Sequence, residues 1–207
     1  MQPRIAVVGS YGSGRTTLSR LLAERTGLPV AYGAAMAAPL GGEDKPVHDW
    51  TPGELLQLTV RRYTERVRAE AAAPDGFVSD GSILHEWIYA KVRLVAGSYP
   101  RDLASLGDVR RSVATAAYED VADHIGLLAR QHARTAYDAV LHLPVEFPLR
   151  DAEPPVSEAF RLLTDALLTE AVDRLGLVRH TLRGDAGQRA AQALALLPAP
   201  TAATADR

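Results

Sequence analysis

A stretch of nine residues near the start of the chain, "GSYGSGRTT" (residues 9–17), combines backbone freedom with hydroxyl groups and one cation. Gly9, Gly12 and Gly14 let the chain turn tightly and bring successive N–H groups, Ser13's among them, around an anion. A helix opening at Gly14 would add the positive end of its dipole. Thr16 stands where a hydroxyl meets a divalent cation, and Thr17 where an amide or hydroxyl meets a phosphate. The spacing fits the phosphate-binding pattern G-x-x-x-x-G-K-[ST] with one exception: Arg15 takes the lysine position. A guanidinium keeps the charge and can fork two phosphate oxygens, but it is longer and planar where an ammonium is compact. Bound phosphate is therefore expected, and the efficiency of any group transfer rests on Arg15.

Further along, "GFVSDGS" (residues 76–82) ends a short apolar run on Asp80, a carboxylate that can hold Mg²⁺ or accept a proton from an attacking hydroxyl. Ser82 can cap the following helix, which leaves Asp80 for chemistry. Arg150, in a proline-rich segment, and Arg161, at the start of the next helix, can close over a polyphosphate and neutralise its charge. Gly184 can offer backbone groups to a base. Trp50, Tyr63, Trp87 and Tyr89 are candidates for the wall of an acceptor pocket. His124 and His132 share a helical stretch with Asp120 and Asp123, but at no metal-ligand spacing.

The elements that must position these residues alternate in type. Short apolar runs at 4–8, 29–32, 76–79, 139–143 and 177–182 read as strands, bounded by Gly, Pro or Asp. Longer helical patterns cover 14–26, 53–72, 83–95, much of 103–136, 158–175 and 186–197. In "TPGELLQL" Thr51 caps, Pro52 suits the first helical position and Glu54 completes a capping box. The alternation predicts an α/β layered fold with a mainly parallel sheet. Residues 1–197 are expected to form a single domain, with 34–75 on the acceptor side, a lid at 144–157 and a disordered tail at 198–207.

Composition narrows the classes. The 207 residues are 47% hydrophobic and 23% charged, enough for a sizeable core. A net charge of −2 gives no electrostatic footprint for nucleic acid or an anionic membrane. No apolar run approaches the roughly 20 residues of a membrane span, and strand pattern begins too early for a signal peptide, so a cytoplasmic address is expected. There is no cysteine, which excludes disulfides and thiolate metal sites. The 23 lysines and arginines comprise only two lysines, Lys45 and Lys91, and 21 arginines, a bias that eases replacement of a lysine by Arg15.

With "VVGSYGSGRTTLSRLLA", "FVSDGS", "YDAVLHLPVEFPLRD" and "LVRHTLRG" in that order, the chain resembles a small P-loop kinase of the nucleotide and nucleoside kinase group. It is most similar to the AAA-type domain family that includes ribosylnicotinamide-kinase-like proteins, from residue 4 to about 197. The resemblance implies a three-layer P-loop fold around a five-stranded parallel sheet in the order 2-3-1-4-5. It also implies ATP with Mg²⁺, an acidic residue at Asp80, a lid at 144–157 and a small-molecule acceptor. Two positions depart from the pattern. Arg15 replaces lysine, and Gly81 stands where related kinases often carry arginine, which favours a neutral hydroxyl over a monophosphate as acceptor. A nucleotide-binding module without phosphotransfer is the alternative. A GTPase switch lacks its N-K-x-D motif after the fourth strand, and an ATPase motor lacks a glutamate beside Asp80.

Overall fold

A computed structural model describes residues 2–33, 39–41, 45–101, 103, 105–149 and 155–197. Five strands, β1 (Arg4–Val8), β2 (Val30–Tyr32), β3 (Phe77–Asp80), β4 (Ala139–His142) and β5 (Arg179–Thr181), form one parallel sheet in the order β2-β3-β1-β4-β5. The order agrees with the one expected. Strand residues alternate between two apolar layers, as the two-residue repeat of a pleated strand requires. Ile5, Val7, Val78 and Leu141 pack with Leu18 and Leu22 of α1 (Arg15–Thr26) and Ala190 and Ala193 of α6 (Ala186–Leu196). Ala6, Val8 and Val140 face the larger cluster built by α3 (Ile83–Ala96), α4 (Val113–Ala136) and α5 (Glu158–Arg174). A parallel strand buried on both faces reads as continuous apolar sequence, and "IAVV", the buried part of β1, does.

Most element boundaries fall within two residues of the sequence expectation. The stretch 103–136 differs more: Ser105 caps a short helical turn at Leu106–Asp108, and α4 starts only after Ser112, whose side chain accepts from Thr115 N–H. The capping box opening α2 (Pro52–Ala71) is present, with Thr51 N–H donating to Glu54 at 2.6 Å and Glu54 N–H to Thr51 Oγ1 at 3.3 Å.

The pairing of β1 with β3 sets Val7 beside Asp80, and Gly81 N–H donates to Val7 C=O at 2.9 Å. Asp80 therefore ends its strand next to the point where β1 runs into the glycine-rich turn. That is the carboxyl edge of the sheet, where ligands of open α/β folds bind.

Candidate nucleotide and acceptor site

Gly12 and Gly14 adopt left-handed backbone, with φ of 68° and 92°. Gly14 is the residue before α1, so the turn delivers the helix's unpaired N–H groups to the loop interior. Three contacts from beyond the loop fix its shape. Ser10 Oγ and Thr164 Oγ1 of α5 are 2.6 Å apart, Arg161 Nε donates to Tyr11 C=O at 2.8 Å, and Arg189 Nη1 donates to Ser13 C=O at 2.6 Å.

Thr16 Oγ1 donates to Asp80 Oδ2 at 2.7 Å, which brings together the two residues assigned to a metal from sequence. Asp80 Oδ1 accepts no hydrogen bond from any described residue. A hydroxyl and a carboxylate, both hard oxygen donors, suit Mg²⁺, which takes one or two carboxylates plus substrate phosphates rather than an all-protein cage. Asp80 does not cap α3; Ser82 holds that position.

Gly81 explains why no side chain follows Asp80. Its φ is 105°, and a Cβ there would lie 3.0 Å from both Arg15 Nη1 and Arg66 Nη2. Two guanidinium groups therefore flank the position where related kinases often carry arginine. Arg15 is half-buried and makes no hydrogen bond or ion pair with a described residue, so its donors remain open to a ligand. Arg66, 1% exposed, is committed: it donates to Glu86, to Ser79 Oγ at 2.9 Å and to Asp80 C=O at 3.2 Å. Burial alone would raise the Glu86 carboxyl, but Arg66 and Arg62 outweigh it and hold it below the usual range. Ser79 Oγ passes the network on to Glu70, which also accepts from Tyr137 OH at 2.8 Å and pairs with His132 Nε2 at 2.7 Å. Burial, reinforced by Glu70, pushes the Tyr137 hydroxyl well above its ordinary value.

His85 ties the loop to α3. Ser82 N–H donates to Nδ1 at 2.9 Å, so the ring proton is on Nε2, which donates to Gly9 C=O at 2.9 Å. Burial, followed by the charges of Arg15 and Arg66, lowers its pKa well below 6.5. The sign of the consequence is fixed: below pH 6.5 the unfolded chain takes up a proton that the folded chain refuses, so stability falls on acidification. The urea midpoint is expected to drop from neutral pH downward, the His85 contribution approaching about 1.4 kcal/mol per pH unit. His85→Gln should flatten that part of the profile. Glu86, whose folded pKa is depressed, adds a loss only at lower pH, beginning near its unfolded value of 4.5.

Beside the loop lies a cavity of about 510 Å³, lined by Tyr11, Gly12, Thr17, Phe147, Gly184 and Arg189 among others. Its size suits a nucleoside. Gly184 lines it, and its N–H donates to Glu146 at 3.1 Å instead of facing the cavity as the donor to a base that the sequence suggested. Glu146 also binds Arg183 and Arg189, and the bond from Arg189 leads in holding its carboxyl below the usual range.

Arg161 departs from the expected lid role. It is fully buried, donating to Tyr11 C=O, Phe147 C=O and Glu158, because Phe160 and Leu163 on either side pack into the core. It braces the loop from beneath. Its Nη2 is buried without a partner and lies 3.9 Å from where a Gly12 Cβ would be, so one donor points toward the loop. Arg150, the rest of the proposed lid at 151–154 and the tail at 198–207 lie outside the described residues. Of the four aromatics, Trp50 packs with Leu55 and Leu58, while Trp87, Tyr63 and Tyr89 pack in or against the main core; Tyr89 also lines a small cleft on the acceptor side. Trp87 fits against α4 because residue 126 is glycine, and its ring carries Arg130 at 4.6 Å.

A sequence-family profile described as an AAA domain matches residues 4–189. The chain belongs to this AAA domain family. No curated protein sequence matches it. Among solved structures, this AAA domain is similar to deoxyadenosine kinase from M. mycoides with bound dATP (TM-score 0.61, 14% identity, covering 93% of this chain and 97% of that one). It is similar to thymidylate kinase from Candida albicans (TM-score 0.62, 12% identity, 94% and 90% covered). It is also similar to NadR in complex with NR (TM-score 0.59, 17% identity), where it covers 94% of its own length and 50% of that chain. These likenesses place the AAA domain in the P-loop kinase-like fold.

Arg66, Glu86, His85 and Arg189 were not found from sequence. For Arg66 a signal existed: Leu55, Leu58, Thr59, Arg62, Arg66 and Glu70 form one helical stripe in which charge replaces apolar residues without leaving the buried face. Arg189 carried no such mark.

Proposed function

We propose that the chain is an ATP- and Mg²⁺-dependent phosphotransferase acting on a hydroxyl group of a small molecule, possessing one domain over residues 1–197 with a lid at 144–157. The observation that carries this reading is the 2.7 Å bond between Thr16 and Asp80, which holds a carboxylate against the phosphate loop with one oxygen open. Gly12, Gly14 and Thr17 offer N–H groups to the phosphates, Gly9 and Ser13 shape the turn, with Ser13 N–H donating to Ser10 C=O at 3.2 Å, and the cavity beside them takes the nucleoside. Thr16 and, through water, Asp80 would hold Mg²⁺, which when bound neutralises phosphate charge. Asp80 orients the acceptor and accepts its proton as the hydroxyl oxygen bonds to the γ-phosphorus and the bond to the β–γ bridging oxygen breaks, releasing ADP. Arg15 stabilises the charge on the phosphoryl oxygens, and Arg161 supports the loop that cradles them.

The test is acceptor-dependent ADP release by the purified protein over a panel of small alcohols. Arg15→Lys is expected to keep or raise activity, since the ammonium restores the common arrangement. Arg15→Ala should lower turnover by about a hundredfold or more. Binding of ATP with no turnover of any acceptor would favour the alternative, a nucleotide-binding regulatory module.

A further inference from the structure

His85, Tyr89 and Arg93 follow one another at four-residue spacing along one face of α3. The ring of Tyr89 stands edge-on to His85, with centroids 5.5 Å apart, and the Arg93 guanidinium lies 5.0 Å from the Phe160 ring centroid and 5.8 Å from that of Tyr89. Arg93 Nε and the Tyr89 hydroxyl are both buried and have no hydrogen-bond partner among the described residues. No carboxylate among those residues forms an ion pair with Arg93. Glu86, which lines the same cleft, is already shared by Arg62 and Arg66. Burial lowers the Arg93 pKa from its ordinary range. A half-buried guanidinium with no ion pair of its own and a buried, unpartnered Nε, beside an unsatisfied hydroxyl, is costly to the folded protein unless something arrives to pair with it.

The cleft that Tyr89 and Arg93 line with Glu86 between α2 and α3 measures about 20 Å³, which admits about one oxygen atom of a ligand and not a whole metabolite. Its distance from the phosphate loop is set by the helix. His85 touches Gly9, and Arg93 lies eight residues further along α3, about 12 Å at 1.5 Å per residue. That is the length of a small phosphorylatable molecule.

We propose that Arg93 and Tyr89 form a subsite for an oxyanion, a carboxylate or a phosphate, at the far end of the acceptor whose hydroxyl meets Asp80. This rests on the kinase reading and refines it: the reacting group is a neutral alcohol, as Gly81 suggests, and the charge is at the opposite end. The planar guanidinium suits two oxygens of such a group, and the phenol supplies a further donor.

The site can be tested apart from turnover. With the phosphate loop saturated by ADP and Mg²⁺, inorganic phosphate and acetate are titrated separately by calorimetry, so that the two oxyanion types are distinguished. At least one should bind in the millimolar range. Arg93→Gln should weaken that binding about tenfold, Arg93→Lys less, and Tyr89→Phe severalfold, with ADP affinity unchanged in all three. In kinetics, alcohols bearing a carboxylate or phosphate ester should outperform their uncharged counterparts, and Arg93→Gln should raise KM for the anionic ones more than it lowers kcat. Absence of anion binding, or equal binding by wild type and Arg93→Gln, overturns the subsite even if uncharged alcohols are phosphorylated. Arg93-dependent anion binding in a protein that phosphorylates nothing keeps the anion site and overturns the kinase reading, and with it the assignment to an acceptor.

Discussion

Asp80→Asn is expected to reduce acceptor-dependent ADP release by about 10²–10⁴-fold while leaving ATP affinity close to wild type. The asparagine is nearly isosteric and can still accept from Thr16, so the loop keeps its shape. It loses the negative charge and the ability to take a proton, and these are what the proposed transfer step demands. Isothermal titration of ATP in parallel with coupled-assay turnover separates the two. An unchanged kcat would remove Asp80 from the reaction. A collapse of ATP binding would show that its role is to hold the loop. Asp80→Ala should match the asparagine variant in turnover, with a larger effect on Mg²⁺ dependence because no oxygen remains beside Thr16.

The second large effect is on stability. Glu86 is 1% exposed and balances Arg66, which is equally buried, as well as Arg62. Glu86→Ala strands buried positive charge and is expected to destabilise the fold by about 3–5 kcal/mol. For a chain of this size that corresponds to a fall in Tm on the order of 10 °C. Removing both members, as in Glu86→Leu with Arg66→Met, should cost less than the sum of the single changes, since apolar groups of similar volume leave no isolated charge. Thermal unfolding of the two single variants and the double variant provides the cycle. Strict additivity would mean that the pair is not coupled in the way its geometry indicates.

The positions of the glycine-rich turn and of Asp80 were legible because they depend on local spacing: three glycines before a helix, and an acid at a strand end. Strand and helix alternation was legible for the same reason, as was the capping box at Thr51. Strand order came through the family likeness, since periodicity does not say which strands pair. What escaped was side-chain burial. Arg161 read as a mobile cation over the ligand because arginine is usually at the surface, yet Phe160 and Leu163 on either side draw it into the core. Gly184 read as a donor to a base, and its amide is claimed by Glu146 from a distant segment. Such pairings join residues tens of positions apart and leave no trace in the local pattern.

Glu70 receives a hydroxyl from β3, a phenol from the residue that ends α4, and an imidazole from α4 itself. A single carboxylate thus rivets three elements together at the base of the acceptor side. Helix α2 cannot swing away from the sheet like a jaw without breaking all three bonds, those from Ser79 and Tyr137 fully buried. On the phosphotransferase reading proposed above, opening for substrates and products would then fall to connecting segments around a stiff frame, with α2 staying fixed.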